Sequence, residues 1–134
     1  MTRLLFAYAG TLAAFCTLDL LWLGFVAKGF YQSQVGSLLL DKPNWGVALL
    51  LYAVYAAGVV LFVVIPALDA GSWQRALRFG ALFGFVVYAT YDLTNLATLK
   101  GWTAGVAVAD ILWGATLTGA AASAGFALSR RLAG

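Results

Sequence analysis

The chain has 134 residues, of which 63% are hydrophobic and only 10% are charged, and its formal net charge is +3. The mean hydropathy is +0.93. This composition is much more apolar than that of a water-soluble domain, and it predicts an integral membrane protein. The basic residues are spread over the chain ends and connections, so nucleic acid is not an expected partner. Because the sequence has no histidine and no glutamate, we expect no metal site.

Four apolar stretches each reach the roughly 20 residues that a helix needs to cross about 30 Å of hydrocarbon. They cover about 4–27, 45–67, 76–99 and 103–128. No linker or low-complexity tract divides them. The sequence therefore predicts an all-α, multi-pass bundle of four transmembrane helices that forms a single domain over 1–134.

The basic residues are distributed unevenly between the two sides of such a bundle. If the four spans alternate in direction, the arginines share the side of both termini and the lysines occupy the other side. The arginines are Arg3, Arg75, Arg78, Arg130 and Arg131, and the lysines are Lys28, Lys42 and Lys100. The positive-inside rule then predicts that the N and C termini are cytoplasmic. We expect the long connection 28–44 to lie along the outer interface.

Three aspartates fall inside the predicted spans at matching depth. Asp19 and Asp92 lie about eight residues before the ends of spans one and three, and Asp110 lies about eight residues after the start of span four. With the termini inside, all three boundaries are the outer one. At 1.5 Å per residue, each carboxyl group lies roughly 12 Å below that boundary.

Aromatic and amide side chains are expected at the same level. Span two brings two tyrosines to this depth, and steps of three and four residues place further polar residues on the aspartate face of span three. In spans one and four, a tryptophan follows the aspartate by three residues. The candidate residues for ligand binding or proton coupling are Asp19, Asp92, Asp110, Asn95, Tyr52, Tyr55, Tyr91, Trp22 and Trp113.

An aspartate at the centre of a membrane helix costs about 2.5 to 3.5 kcal/mol to insert. No lysine or arginine lies inside a span at that depth, so we expect at least one of the three carboxyl groups to be protonated or to bind a cation. The alternative is that hydrogen bonds from the aspartates simply hold the helices together. We favour a functional site because serine, threonine or asparagine would hold helices together at lower cost.

Several strings of the sequence resemble one known family. They are DLLWLG at 19–24, FVVIPA at 62–67, YATYDLTNLATLKGW at 88–102 and DILWG at 110–114. Together they resemble the bacterial membrane proteins grouped as domain of unknown function 2177 (DUF2177). The resemblance implies a four-span protein of the bacterial inner, cytoplasmic membrane, and it carries no catalytic role to any residue.

Three functions fit these observations. The first is a site that binds or transports a small hydrophobic or cationic molecule, coupled to protons; transport by so small a chain would call for a homodimer. The second is a membrane-embedded acid-base enzyme acting on a lipid or isoprenoid. The third is a non-catalytic subunit of a membrane complex, with the glycines from Gly114 through Gly119 to Gly125 docking against a partner helix. The sequence indicates no cofactor, and the lipid bilayer is the one partner common to all three.

Overall fold

The computed structural model describes residues 1–134. Helices contain 87% of the residues, and there are no strands. The predicted all-α fold is therefore confirmed.

Four long helical segments run through the molecule in alternating directions, and one short helix lies between the first two. In chain order the elements are α1 (Thr2–Leu21, extended by a π-helical turn, Trp22–Val26), α2 (Lys28–Val35, followed by a 3₁₀ turn, Gly36–Leu38), α3 (Trp45–Val59, joined by a π-helical turn, Val60–Val64, to α4), α4 (Ile65–Ala70), α5 (Trp73–Thr98) and α6 (Ala104–Leu132).

Three of the long segments are long and apolar enough to cross a bilayer. They are Thr2–Val26, Trp45–Ala70 and Ala104–Leu132. Helix α5 has 26 residues, but Arg75 and Arg78 at one end and polar residues between 88 and 98 at the other lower its hydropathy, and it is not among the three. The four-span count and the cytoplasmic termini therefore stay predictions.

Short polar residues start the long helices. The side chains of Asn44, Ser72 and Thr103 each accept a hydrogen bond from the backbone N–H three residues later. Such N-caps pair backbone donors that a helix leaves without partners. Gly71, with φ of 64°, ends α4 in the left-handed conformation and turns the chain into α5. These local signals divide the apolar chain into helices of defined length.

Helix α6 is the centre of the bundle and packs along both α1 and α5. Glycines permit this close packing. A Cβ atom on Gly84 of α5 would overlap the backbone carbonyl of Gly114 in α6, and one on Gly125 would lie 2.7 Å from the backbone carbonyl of Ala7 in α1. Small residues at such contacts allow helix backbones to approach closely. The α3–α4 segment contacts α1, α5 and α6 and completes the bundle.

The glycines of α6 therefore have a different role from the one expected. Gly114 packs under the Tyr88 ring, Gly119 lies against Leu77 of α5, and Gly125 lies against α1. All three are buried. The expectation that these glycines dock against a partner helix is wrong, because the chain's own helices already occupy that surface.

The two ends of the bundle differ. One end, which we call the termini end, contains both chain termini and the turn at Gly71. The other, the α2 end, contains α2 and the turn 99–103 between α5 and α6. The outward faces between the ends carry large apolar side chains, among them Phe62 at 71% exposure and Leu50 at 64%. Such a surface is unusual in a soluble monomer and is suited to contact with lipid.

Candidate functional site

Asp19, Asp92 and Asp110 all lie in the half of the bundle nearer the α2 end, and we call this region the acidic layer. Asp110 is six residues after Ala104, Asp92 is six residues before Thr98, and Asp19 is seven residues before Val26. At 1.5 Å per residue, each lies about 9 to 11 Å from the nearer end of its own helix, and the hydrogen bond of Asp19 with Trp113 places Asp19 about one turn closer to the termini end than Asp110. Asp19 and Asp92 are buried, with 7% and 0% exposure, and Asp110 is half-buried.

Asp19 joins three helices through hydrogen bonds. The hydroxyl of Tyr52 on α3 donates to its Oδ2 atom at 2.7 Å, and Nε1 of Trp113 on α6 donates to its Oδ1 atom at 3.1 Å. Both oxygens of this buried carboxyl group are thus partnered. This is the arrangement that a structural role requires, because a buried polar group is costly unless it is hydrogen-bonded.

Asp110 has a partner from outside the four long segments. The hydroxyl of Tyr31, on α2, donates to its Oδ1 atom at 2.8 Å and accepts a hydrogen bond from Nε1 of Trp22 at 3.2 Å. Burial raises the pKa of the Tyr31 hydroxyl, so it keeps its proton and acts as the donor. Tyr31 is not among the residues predicted from the sequence, because nothing in the sequence shows that the connection folds back over the bundle.

The two tryptophans predicted for the site lie together. The indole rings of Trp22 and Trp113 stack with centroids 4.5 Å apart and planes 7° from parallel. Through their N–H groups, one connects to Tyr31 and the other to Asp19. The stack therefore links the hydrogen bonds around Asp19 to those around Asp110.

Asp92 differs from the other two aspartates. Its side chain is completely buried, and neither carboxyl oxygen has a hydrogen-bond partner. Asp110 and the indole of Trp102 are its polar neighbours, yet Nε1 of Trp102 is itself buried without an acceptor. A buried, unpartnered carboxyl group beside a second carboxyl group is the least satisfied feature of the bundle.

Three other predicted residues are less closely involved. Tyr55 lies one helical turn from Tyr52 towards the termini end, and its hydroxyl is 2.7 Å from Oγ1 of Thr118 rather than near an aspartate. Asn95 is half-buried, one turn beyond Asp92. The side chain of Tyr91 is 55% exposed, so it does not lie on the buried face of α5 that contains Asp92. Helical spacing locates the buried face of a helix only to within one residue position. Asp92 rather than Tyr91 occupies the centre of the buried face of α5.

No positively charged side chain reaches the acidic layer. The single ion pair of the structure joins Arg3 to Asp69 at the termini end, and Lys28 and Lys100 are exposed at the α2 end. The acidic side chains do not converge in any group of three that could hold a metal ion. The layer consists instead of the Asp92–Asp110 pair and a separately bonded Asp19.

Two apolar grooves lie away from this layer. The larger, of about 570 Å³, runs between α1 and the α3 segment at the termini end and is lined by residues such as Leu5, Tyr8 and Leu61. The smaller lies between the α3 segment and α5, next to Phe62 and Phe83. Both open on the outer faces of the bundle, where acyl chains would fill them.

The apolar helices and the buried acidic layer together define a helical membrane protein. A comparison with protein-family models extends this conclusion. The model of the family described as "Predicted membrane protein (DUF2177)" matches residues 4–127. The chain belongs to this family, and the resemblance seen in the sequence is confirmed. No curated protein and no solved structure matches the chain.

The hydrogen bond between Tyr52 and Asp19 gives a test of the layer's geometry. We expect Tyr52→Phe to lower the free energy of unfolding in detergent by about 1 to 3 kcal/mol, because the buried carboxyl group of Asp19 loses a donor. In a double-mutant cycle with Asp19→Asn, the two changes should be clearly non-additive. Tyr8→Phe is the matched control, because its hydroxyl donates to the backbone carbonyl of Ala53. An additive Tyr52–Asp19 cycle would contradict the contact.

Proposed function

We propose that this chain is a four-span protein of the bacterial cytoplasmic membrane, with both termini in the cytoplasm, that binds a small cationic or hydrophobic molecule in the acidic layer. We further propose that binding is coupled to loss of a proton from Asp92 and that the protein transports its ligand. The observation that carries this proposal is the complete burial of Asp92 without a hydrogen-bond partner.

The proposal needs α5 to cross the membrane. Its 26 residues correspond to about 39 Å, which exceeds the thickness of the hydrocarbon. The exposed threonines Thr90, Thr94 and Thr98 donate their hydroxyl protons to the backbone carbonyls four residues earlier. These hydroxyls therefore need no partner from water. Asp92 itself is shielded from lipid, so the polar content of α5 is compatible with a span.

The distribution of basic residues between the two ends of the bundle supports a cytoplasmic location for both termini. The termini end carries five arginines and Asp69, whereas the α2 end carries three lysines and Asp41. The positive-inside rule favours the more basic side as the cytoplasmic one. The acidic layer then lies in the outer half of the membrane, below α2.

The electrostatics of Asp92 support the coupling between ligand binding and loss of its proton. An ionised carboxyl group buried without partners is very costly, and no lysine or arginine is at hand to compensate it. Two routes to neutrality remain, namely a proton on the carboxyl group or a cation beside it. Because the proton and the cation satisfy the same group, binding of one favours release of the other.

The surroundings suit a ligand with an apolar body. Three aromatic side chains bind the carboxyl groups of the acidic layer. Tyr52 and Trp113 donate hydrogen bonds to Asp19, and Trp22 reaches Asp110 through Tyr31. Aromatic rings attract organic cations. A hydrophobic cation needs a carboxyl group to neutralise its charge and aromatic rings to contact its apolar body, and this region contains both.

One observation favours an enzyme as the second candidate. Asp110 accepts a hydrogen bond from Tyr31, whereas its neighbour Asp92 has none. Two adjacent carboxyl groups in different environments can divide the roles of acid and base. The large groove that could take a lipid tail lies at the opposite end of the bundle, so we place binding and transport first.

The four-span topology can be tested by thiol labelling from one side of the membrane. In a Cys16→Ala background, one cysteine is placed at Gln74, in the first turn of α5, and another at Lys100, just beyond the other end of α5. We expect a membrane-impermeant maleimide added outside intact cells to label Lys100→Cys and to leave Gln74→Cys unlabelled until the cells are opened. Equal labelling of both in intact cells would mean that α5 does not cross.

Transport can be tested in proteoliposomes with two hydrophobic cations, tetraphenylphosphonium and ethidium. We expect an imposed proton gradient to drive uptake of at least one of them, and we expect Asp92→Asn to abolish that uptake because the amide cannot exchange a proton. Asp41→Asn is the matched control, since it removes an aspartate from an exposed connection. Uptake that persists in Asp92→Asn, or that is lost equally in Asp41→Asn, would contradict the proposal.

A further inference from the structure

We infer that α2 is a lid over the acidic layer and that Tyr31 is the latch that holds it closed. This inference deepens the proposed function, since it assumes that the layer beneath the lid is a binding site. It assigns a role to the connection 27–44, which the family match and the proposed function leave without one.

The position of α2 supports this role. The short helix follows the π-helical end of α1 and a break at Ala27, where φ is −110° and ψ is 4°. It lies over the start of α6: an atom placed at the Cβ position of Gly105 would be 3.7 Å from Oε1 of Gln34 and 4.0 Å from the ring of Phe30. The following 3₁₀ turn places Leu38 at 3.8 Å from the corresponding position on Gly101. The segment thus covers the α2 end directly above Asp110.

Few interactions hold this segment down. Most of its side chains are exposed, and Val35 is the one buried side chain within α2. The two hydrogen bonds of Tyr31, with Trp22 and Asp110, are its only side-chain hydrogen bonds to the long helices. Segments with so few buried contacts open at low cost in free energy.

The latch and the proposed ligand compete for one group. Tyr31 donates to Oδ1 of Asp110, and a hydrogen bond to a carboxylate is stronger than one between neutral groups. A cation that engages Asp110 weakens this bond, so ligand binding and lid opening are coupled. Because the bond is between side chains, a single substitution can break it while the helices stay intact.

The lid can be tested without any transported ligand. Proteoliposomes are treated with a water-soluble carbodiimide and glycine ethyl ester, and the modification of each aspartate is measured by peptide mass spectrometry. We expect Tyr31→Phe to increase modification of Asp110 about tenfold, because an opening held by one charge-assisted hydrogen bond becomes more frequent. Asp19, whose partners do not change, is the internal reference. The matched control is Tyr8→Phe, which removes a phenol hydroxyl at the other half of the bundle.

Equal modification of Asp110 in Tyr31→Phe and in the native chain would overturn the inference. An equal increase in Tyr31→Phe and Tyr8→Phe would also overturn it, because it would indicate general loosening of the bundle. A cross-link can instead hold the lid closed. In a Cys16→Ala background, the cysteines of Gln34→Cys and Gly105→Cys are joined by a short bifunctional maleimide. We expect this tether to reduce modification of Asp110 below that of the same protein before cross-linking, and no reduction would contradict a lid.

These readouts are independent of uptake. If Tyr31→Phe exposes Asp110 but Asp92→Asn leaves uptake unchanged, the lid stands and the proposed coupling at Asp92 fails. If uptake depends on Asp92 but the labelling of Asp110 does not depend on Tyr31, the transport proposal stands and the lid fails.

Discussion

The cost of placing a carboxyl group inside apolar surroundings is the constraint on which this structure depends. Asp19 meets it with two hydrogen bonds, from α3 and α6, which fix the positions of these helices relative to α1. Asp110 meets it with Tyr31 of α2. Asp92 is fully buried, and neither of its oxygens has a hydrogen-bond partner of good geometry, although Asp110 and Trp102 are its polar neighbours. Because Asp19 and Asp110 are hydrogen-bonded and Asp92 is not, the unfavourable electrostatics of the bundle are concentrated at Asp92, and a functional site is expected at such a point.

Close packing of small residues makes this arrangement attainable. Helix α6 approaches α1 and α5 through glycines, with Gly84 against Gly114 and Gly125 against Ala7. These contacts set the rotation of α6, which turns Asp110 towards α5 and Trp113 towards α1. The acidic layer therefore depends on backbone contacts up to several turns away. The same packing leaves large apolar side chains on the outside, where a bilayer rather than water is the suitable surroundings.

The sequence predicted the class of fold because it follows from local quantities. Hydropathy and length locate the helices, whereas counting residues from helix ends gives only an approximate depth, since Asp19 lies beside Trp113, one turn along α6 from Asp110. Contacts between helices depend on rotation and on the path of the connections, which spacing does not determine. Tyr91 and Asp92 are adjacent, and only the packed structure shows that the former is exposed and the latter buried. Tyr31 and Trp102 were missed as neighbours of the layer for the same reason, since each comes from a segment outside the predicted spans.

The central claim is that Asp92 holds a proton that a bound cation displaces. Infrared difference spectroscopy of the protein in lipid, recorded on addition of whichever of tetraphenylphosphonium and ethidium is taken up by proteoliposomes, measures this directly. The account predicts loss of the carbonyl stretching band of a protonated carboxylic acid in the native chain and in Asp41→Asn, and no such loss in Asp92→Asn. A difference spectrum without that band in the native chain, or with an equal band in Asp92→Asn, would contradict it.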